Sequence, residues 1–263
     1  MHSTIGCLLN KAHDLIDLFL YIPNMALYIF SDAHLGCGTP EEERLKIDKI
    51  TALFDRVKSD GERLVILGDL FDFWFEYRHA IPKEHHDVLF MLSDLVKNGI
   101  TVDYVSGNHD FWMDDFFEKQ MQVNVYRDIF DLSFEGQHLH LIHGDGLAKA
   151  DRGYRFLKRI LRNRLNIWLY RRLPPDWAMP LAKKVSGSSR RYTARRDHVF
   201  AEDYEKYAQT KLQNGFDVVA IAHLHIPVIK KFDNGIYVNT GDFINHFSYV
   251  RLADRKVTLE FLK

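Results

Sequence analysis

Cysteine is scarce. Cys7 and Cys37 are the only two in 263 residues, too few for a disulfide framework and in keeping with a reducing compartment. Long apolar runs are missing too: the best candidate, Leu15 to Ile22, is interrupted by Asp17 and ended by Pro23, short of the ~20 residues that span a bilayer. No small-residue cleavage site follows it, so a signal peptide is not expected. An excess of either charge is also lacking, with 35 Lys and Arg against 36 Asp and Glu. The chain is therefore expected to be cytoplasmic. Residues 1–24 read as a loose extension or the product of an upstream start codon, and 25–263 as one domain with room for a substantial core.

The balanced total hides an asymmetry. Residues 149–198 carry fifteen Lys and Arg against three Asp, a net of +12, which leaves −13 for the rest. Here Tyr154 to Arg162 and Ile167 to Leu173 read as a basic amphipathic helix with aromatic residues, followed by Pro174-Pro175 and Trp177 to Leu181. Basic helices of this kind contact anionic membranes or nucleic acid, and the stretch is read as a helical cap inserted into the domain.

What is present is a series of polar residues at the ends of apolar runs: Asp32-Ala33-His34, Gly68-Asp69, Gly107-Asn108-His109-Asp110, His143-Gly144-Asp145 and Ala222-His223-Leu224-His225. The steps from Asp32 to Asp69, Asn108 and His143 are 37, 39 and 35 residues, each about one strand-helix-strand unit. The last step, to His223, is 80 residues and contains the basic insertion. Strands are predicted at 26–30, 63–67, 101–105, 140–142 and 217–221, and surface helices at 41–58 and 83–98, with Asn98-Gly99 as a stop. After His225 the short runs 226–232, 235–239, 247–252 and 256–262 read as antiparallel strands. The predicted fold is α/β: a sandwich of two mixed sheets flanked by helices. Strand ends gathered at one crevice would collect seven N/O donors: Asp32, His34, Asp69, Asn108, His143, His223 and His225. That is enough for two metal ions. His138 and His140 fall on the strand face opposite His143, His85 and His86 read as solvated, and Cys37 is not needed as a ligand.

This motif set, in this order, resembles the calcineurin-like metallophosphoesterases. Within them, Gly68 to Trp74, His143 to Leu147 with Asp151 and Tyr154, and Gly241 to His246 resemble the UDP-2,3-diacylglucosamine pyrophosphatases of lipid A biosynthesis. The resemblance covers nearly everything from Met25 onward. It implies one ion on Asp32, His34, Asp69 and His225, a second on Asp69, Asn108, His143 and His223, and Asp69 as the bridge. Such a donor set suits Mn²⁺, Fe or Zn²⁺, and the resemblance favours Mn²⁺. It implies in-line attack of metal-activated water on the α-phosphorus, releasing UMP and a diacylglucosamine 1-phosphate. His109 would stand beside the leaving oxygen, where many of these enzymes have Arg, with Asp110 orienting it. Asn108, Asp151, Tyr154, Arg155, Ser188, Ser189 and Arg191 are the expected substrate contacts. The expected partners are a lipid-tailed UDP-sugar and the anionic cytoplasmic face of the inner membrane, with no nucleic acid or protein. A nuclease or nucleotide phosphodiesterase is the alternative, and a scaffold without metals a third reading.

Overall fold

All five residues of β1 (Ala26–Phe30) are buried, as befits a strand covered on both faces. The computed structural model describes residues 25–148, 152–182, 186 and 197–263; the predicted extension at 1–24 lies outside them. β1, β2 (Gly61–Ile66), β3 (Thr101–Val105) and β4 (Asn124–Tyr126) run parallel. β10 (Ser248–Ala253) joins β1 antiparallel and β11 (Lys256–Phe261) closes this six-stranded sheet. The second sheet has the order β5 (Ile129–Phe134), β6 (Gln137–Ile142), β7 (Val218–Ile221), β9 (Gly235–Asn239), β8 (Val228–Phe232). The fold is therefore α/β, with two mixed sheets and flanking helices. One predicted detail is corrected: β9 lies parallel to β7, because the β8–β9 hairpin folds β9 back between β7 and β8.

Alternation along the strands divides the core. Leu27, Ile29, Val65 and Val105 face Leu139, Leu141, Val218 and Ala220 across the space between the sheets. Tyr28, Phe30, Leu64, Ile66 and Tyr104 point the other way, against Ile50, Leu53 and Phe54 of α1 (Pro40–Asp60) and Leu92 and Leu95 of α2 (His86–Lys97). Thr39 and Glu42 form a capping box at the start of α1, with Pro40 in the first turn, which fixes where the loop after β1 ends. A short helix, α3 (Phe116–Met121), adds Phe117 to this layer. His85 is a second correction. It is 5% exposed with its ring 4.6 Å from that of Phe71 and tilted by 40° to it, because the single 3₁₀ turn before α2 rotates it inward while His86 stays outside.

The basic insertion is not one helix. It forms α4 (Arg152–Leu161), α5 (Arg164–Tyr170) and further helical residues at 175–182. Asn163 breaks the run: it has extended backbone, and its side chain caps α5 by accepting from the Leu165 N–H. Ile167, Tyr170 and Met179 pack on Phe73, Phe75 and Trp112 of the sandwich. The long helix α6 (Asp197–Gln213) returns the chain to the body, covering the outer face of the second sheet with Tyr204, Ala208 and Leu212. No described helix is long and apolar enough to cross a membrane.

Candidate metal centre

The loops after β1, β2, β3, β6 and β7 meet at one edge of the sandwich, three from one sheet and two from the other. To turn side chains into that crevice, Asp32, His34, Asp69, His223 and His225 all adopt positive φ, between 43° and 71°, a region that L-residues other than Asn, Asp and His seldom enter. Backbone ties hold the turns: the Asp32 and His34 N–H groups donate to Gly68 O and Asp69 O, and Phe243 N–H donates to Asp32 O. The last tie places the Gly241 to His246 stretch directly behind the first ligand loop. Two glycines are there for close approach. A Cβ on Gly107 would lie 2.0 Å from Asp69 Oδ1, and one on Gly68, itself at φ +86°, 2.5 Å from His143 Nδ1.

The side chains form three adjoining groups: the two that hold the expected ligands, Asp32/His34/His225 and Asp69/His143/His223, and a third, His34/Asp72/His109. Asp69 stands between the first two. Its Oδ2 lies 3.3 Å from His143 Nε2 and 3.7 Å from His34 Nε2, while Oδ1 accepts from the His109 N–H at 2.8 Å. Asn108 Oδ1 lies 3.2 Å from His143 Nε2, so its amide faces the second group. Asp32 Oδ2 is spoken for by Ser31 Oγ and the His223 N–H, but Oδ1 is buried without an aligned hydrogen bond, 3.2 Å from His225 Nε2. His143 Nδ1 donates to Leu67 O at 2.8 Å, which fixes the tautomer and leaves Nε2 as a ligand atom. An orphaned buried carboxylate oxygen and imidazoles aimed at shared carboxylates are what cations require, so these residues fit a pair of divalent ions.

The electrostatics agree. Burial alone would lower the pKa of His34 and His143, yet Asp32, Asp72 and Asp69 outweigh it and push both rings up to about 10. Burial likewise opposes ionisation of Asp32 and Asp69, but the surrounding imidazoles hold both well below the usual carboxylate range. His223, desolvated beside His143, falls to about 4 and stays neutral. The carboxylates are charged and looking for cations.

Around this centre, one expected contact is corrected. Asp110 does not orient His109; its carboxylate accepts from the N–H groups of Leu70 and Gly107 and from the Tyr104 hydroxyl. The reason is geometric, since Asp110 turns back under the loop and clamps backbone. His109 is held instead by residues that sequence reasoning passed over: its Nδ1 lies 3.0 Å from Asp72 O and 2.5 Å from Ser186 Oγ, with Asp72 Oδ1 at 3.7 Å. Asp72, three residues after Asp69, was visible in sequence but not separable from a turn. Asp145 was visible as well, and its carboxylate takes Tyr154 Oη at 2.8 Å and Lys158 Nζ at 2.9 Å. The Tyr154 ring stands 6.4 Å from that of His223, and Arg155 lays its stem over Gly146. Asp151, Ser188, Ser189 and Arg191 lie outside the described residues. His140, buried, bonds Asp131 and Tyr207 away from the centre.

Beside Asn108 and His109 opens a cavity of about 240 Å³, walled by Phe73, Phe111 and Trp112 of the body and by Leu157, Leu161, Tyr170 and Leu181 of the insertion. It is an apolar slot ending at the polar centre.

Comparison with known proteins supplies a context for this geometry. The family model for calcineurin-like phosphoesterases matches residues 25–227. A UDP-2,3-diacylglucosamine hydrolase from Porphyromonas gingivalis is 25% identical over 256 residues, covering 90% of this chain and 97% of its own. One from Pseudomonas fluorescens (strain Pf0-1) is 30% identical over 210 residues, covering 80% and 83%. Among solved structures, an archaeal phosphodiesterase superposes with a TM-score of 0.48 at 13% identity, covering 90% of this chain and 100% of its own.

Proposed function

The chain belongs to the calcineurin-like phosphoesterases, which makes it a metal-dependent hydrolase, and from that premise we propose that it cleaves the pyrophosphate bond of UDP-2,3-diacylglucosamine to give UMP and 2,3-diacylglucosamine 1-phosphate. The observation that carries the substrate is the apolar slot that ends at Asn108 and His109. A diphosphate placed at the centre would send acyl chains into the slot, whereas a nucleic-acid backbone has nothing to put there.

In this reading Asp32, His34, Asp69 and His225 hold one divalent ion and Asp69, Asn108, His143 and His223 the other; N/O donors without thiolate, and the family resemblance, favour Mn²⁺ over Fe or Zn²⁺. The ions supply Lewis-acid charge neutralisation and lower the pKa of water. The chain's own residues do the rest. Asn108 and His109 border both the centre and the slot, so they meet the phosphoryl group and the sugar together. His109, its Nδ1 turned to Asp72 O and Ser186, presents Nε2 on the side of Asp69, 4.0 Å from Oδ2. The leaving group is a phosphate monoester with a second pKa near ~6, so it departs without obligatory protonation, and a polarising ring serves in place of the Arg found in many relatives. Tyr154 lines the slot and Arg155 lies beside Gly146; both, with Asp151, Ser188, Ser189 and Arg191, are kept as proposed substrate contacts.

The outer surface of the insertion exposes Phe156, Leu165, Trp168, Leu169 and Trp177 among Arg159, Arg164 and Arg172. Apolar side chains interleaved with cations match an anionic leaflet, where the lipid substrate resides. Peripheral attachment at the cytoplasmic face of the inner membrane follows in this reading.

The test is to incubate Mn²⁺-loaded protein with UDP-2,3-diacylglucosamine, UDP-glucose, a cyclic dinucleotide and single-stranded DNA. UMP release from the lipid substrate alone is expected. Cleavage of DNA or of the cyclic dinucleotide in preference to the lipid would replace this reading with the phosphodiesterase alternative.

A further inference from the structure

The guanidinium of Arg162, just past the end of α4, touches the loops that carry Asn108 and His143, two of the second ion's four proposed ligands, and makes no hydrogen bond or ion pair, among the described residues, to those that carry Asp32, His34 or His225. Its NH2 donates to Gly107 O at 3.3 Å and lies 3.8 Å from Asp145 Oδ2, while NH1 donates to Asp128 Oδ1 at 2.6 Å. The group lies 5.0 Å over the ring of Phe111. Gly107 O belongs to the peptide that leads into Asn108. The N–H of Gly107 is already held by Asp110 Oδ1 at 2.8 Å, so that residue is gripped from both sides and leaves no room for a side chain against Asp69. Asp145, for its part, is two residues from His143.

We propose that Arg162 is a positioning residue that joins the loop bearing Asn108 to the loop bearing His143, and so assembles the second metal position from the inserted helix. It rests on the two-ion reading above. Arg suits the task because its planar fork offers several donors in fixed directions, whereas Lys offers one compact charge. The asymmetry is the distinguishing feature. Asp32, His34 and His225, three of the first ion's four proposed ligands, sit on loops that Arg162 does not contact, so the first ion feels its loss only through the shared Asp69 and less than the second. Residues that orient metal ligands typically change metal affinity by about 10–100-fold when removed.

The experiment is calorimetric titration of Mn²⁺ into the metal-free parent, Arg162→Ala and Arg162→Lys, with circular dichroism to confirm folding. Expected are two binding events in the parent. In Arg162→Ala one event should weaken roughly 10–100-fold while the other changes less than about twofold, with partial recovery when guanidinium is added at millimolar concentration. Arg162→Lys should remain weakened in the same event, and it carries the test if the alanine variant does not fold. Two unchanged events, two equally weakened events, or a lysine variant indistinguishable from the parent overturns the proposal. A parent that takes up fewer than two ions overturns it together with the two-ion reading, and that outcome is visible before any variant is made.

Discussion

Asp69 is the residue on which both halves of the centre converge, since its Oδ2 lies within 3.3 to 3.7 Å of a ring from each group. Asp69→Ala should abolish turnover and strip metal from both positions, whereas His225→Ala should deplete mainly one; two ions retained in an active Asp69→Ala protein would sink the ligand assignment. A second expectation comes from His34 and His143. With pKa values near 10 in the metal-free protein against ~6.5 in an unfolded chain, both rings carry protons at neutral pH, and cations must displace them. Metal uptake at pH 7.5 should release about two protons, measured as a dependence of calorimetric heat on buffer ionisation enthalpy, and apparent affinity should climb with pH. The sign for stability runs the other way. Raised imidazole pKa values stabilise the metal-free fold fully below about pH 6.5, and that contribution is lost as pH rises through 10. Thermal melts of metal-free protein should therefore fall between pH 7 and 10, and melts of loaded protein should not. Absence of buffer dependence would refute the protonation account. All seven proposed ligands were legible in the sequence, because a donor at the end of an apolar strand is a local signal. Asp72 and Asp145 stood in quoted motifs but their roles did not show, and Ser186 did not stand out at all, because their meaning depends on partners 37 residues or more away in the chain for His109 and on a helix that packs only in three dimensions.

Among the elements, β1, β2, β3 and β7 were read within a residue or two and β6 began three residues earlier than expected, while β4 and β5 were missed, being short or too polar to stand out. The basic run from Tyr154 was misread as continuous because hydrophobic spacing persists across Asn163, and only the cap geometry reveals the break. That break changes an experiment. Ile167 faces the cluster around Phe73 and Phe75, whereas Trp168 and Leu169 are about half exposed, at 50% and 51%. Trp168→Ser with Leu169→Ser should reduce binding to anionic vesicles with little loss of stability. Ile167→Ser should instead loosen the insertion, costing about 1–3 kcal/mol in denaturant unfolding. If the exposed pair can be replaced without any change in vesicle binding, the membrane contact proposed for this surface is wrong.

Over the whole molecule, charge is segregated rather than scarce, with +12 in residues 149–198 and −13 elsewhere. On the anionic surface proposed above, such a dipolar distribution would orient the protein, insertion toward the surface and body away from it. Vesicle binding should weaken markedly between 0.1 and 1 M NaCl, as the Debye length shrinks from ~10 to ~3 Å, while hydrolysis of a small soluble phosphodiester should respond far less; equal losses would place the salt effect at the catalytic centre. The left-handed backbone at five of the proposed ligands has a different kind of consequence. The Asp32 and His34 turns are tied to the Gly68-Asp69 loop by backbone hydrogen bonds that involve no ion, so these turns should keep their shape when the ion changes. Ion exchange then requires no refolding. A preference for Mn²⁺ would rest on the donor atoms themselves and on the supply of ions in the surrounding fluid, not on any rearrangement of the chain.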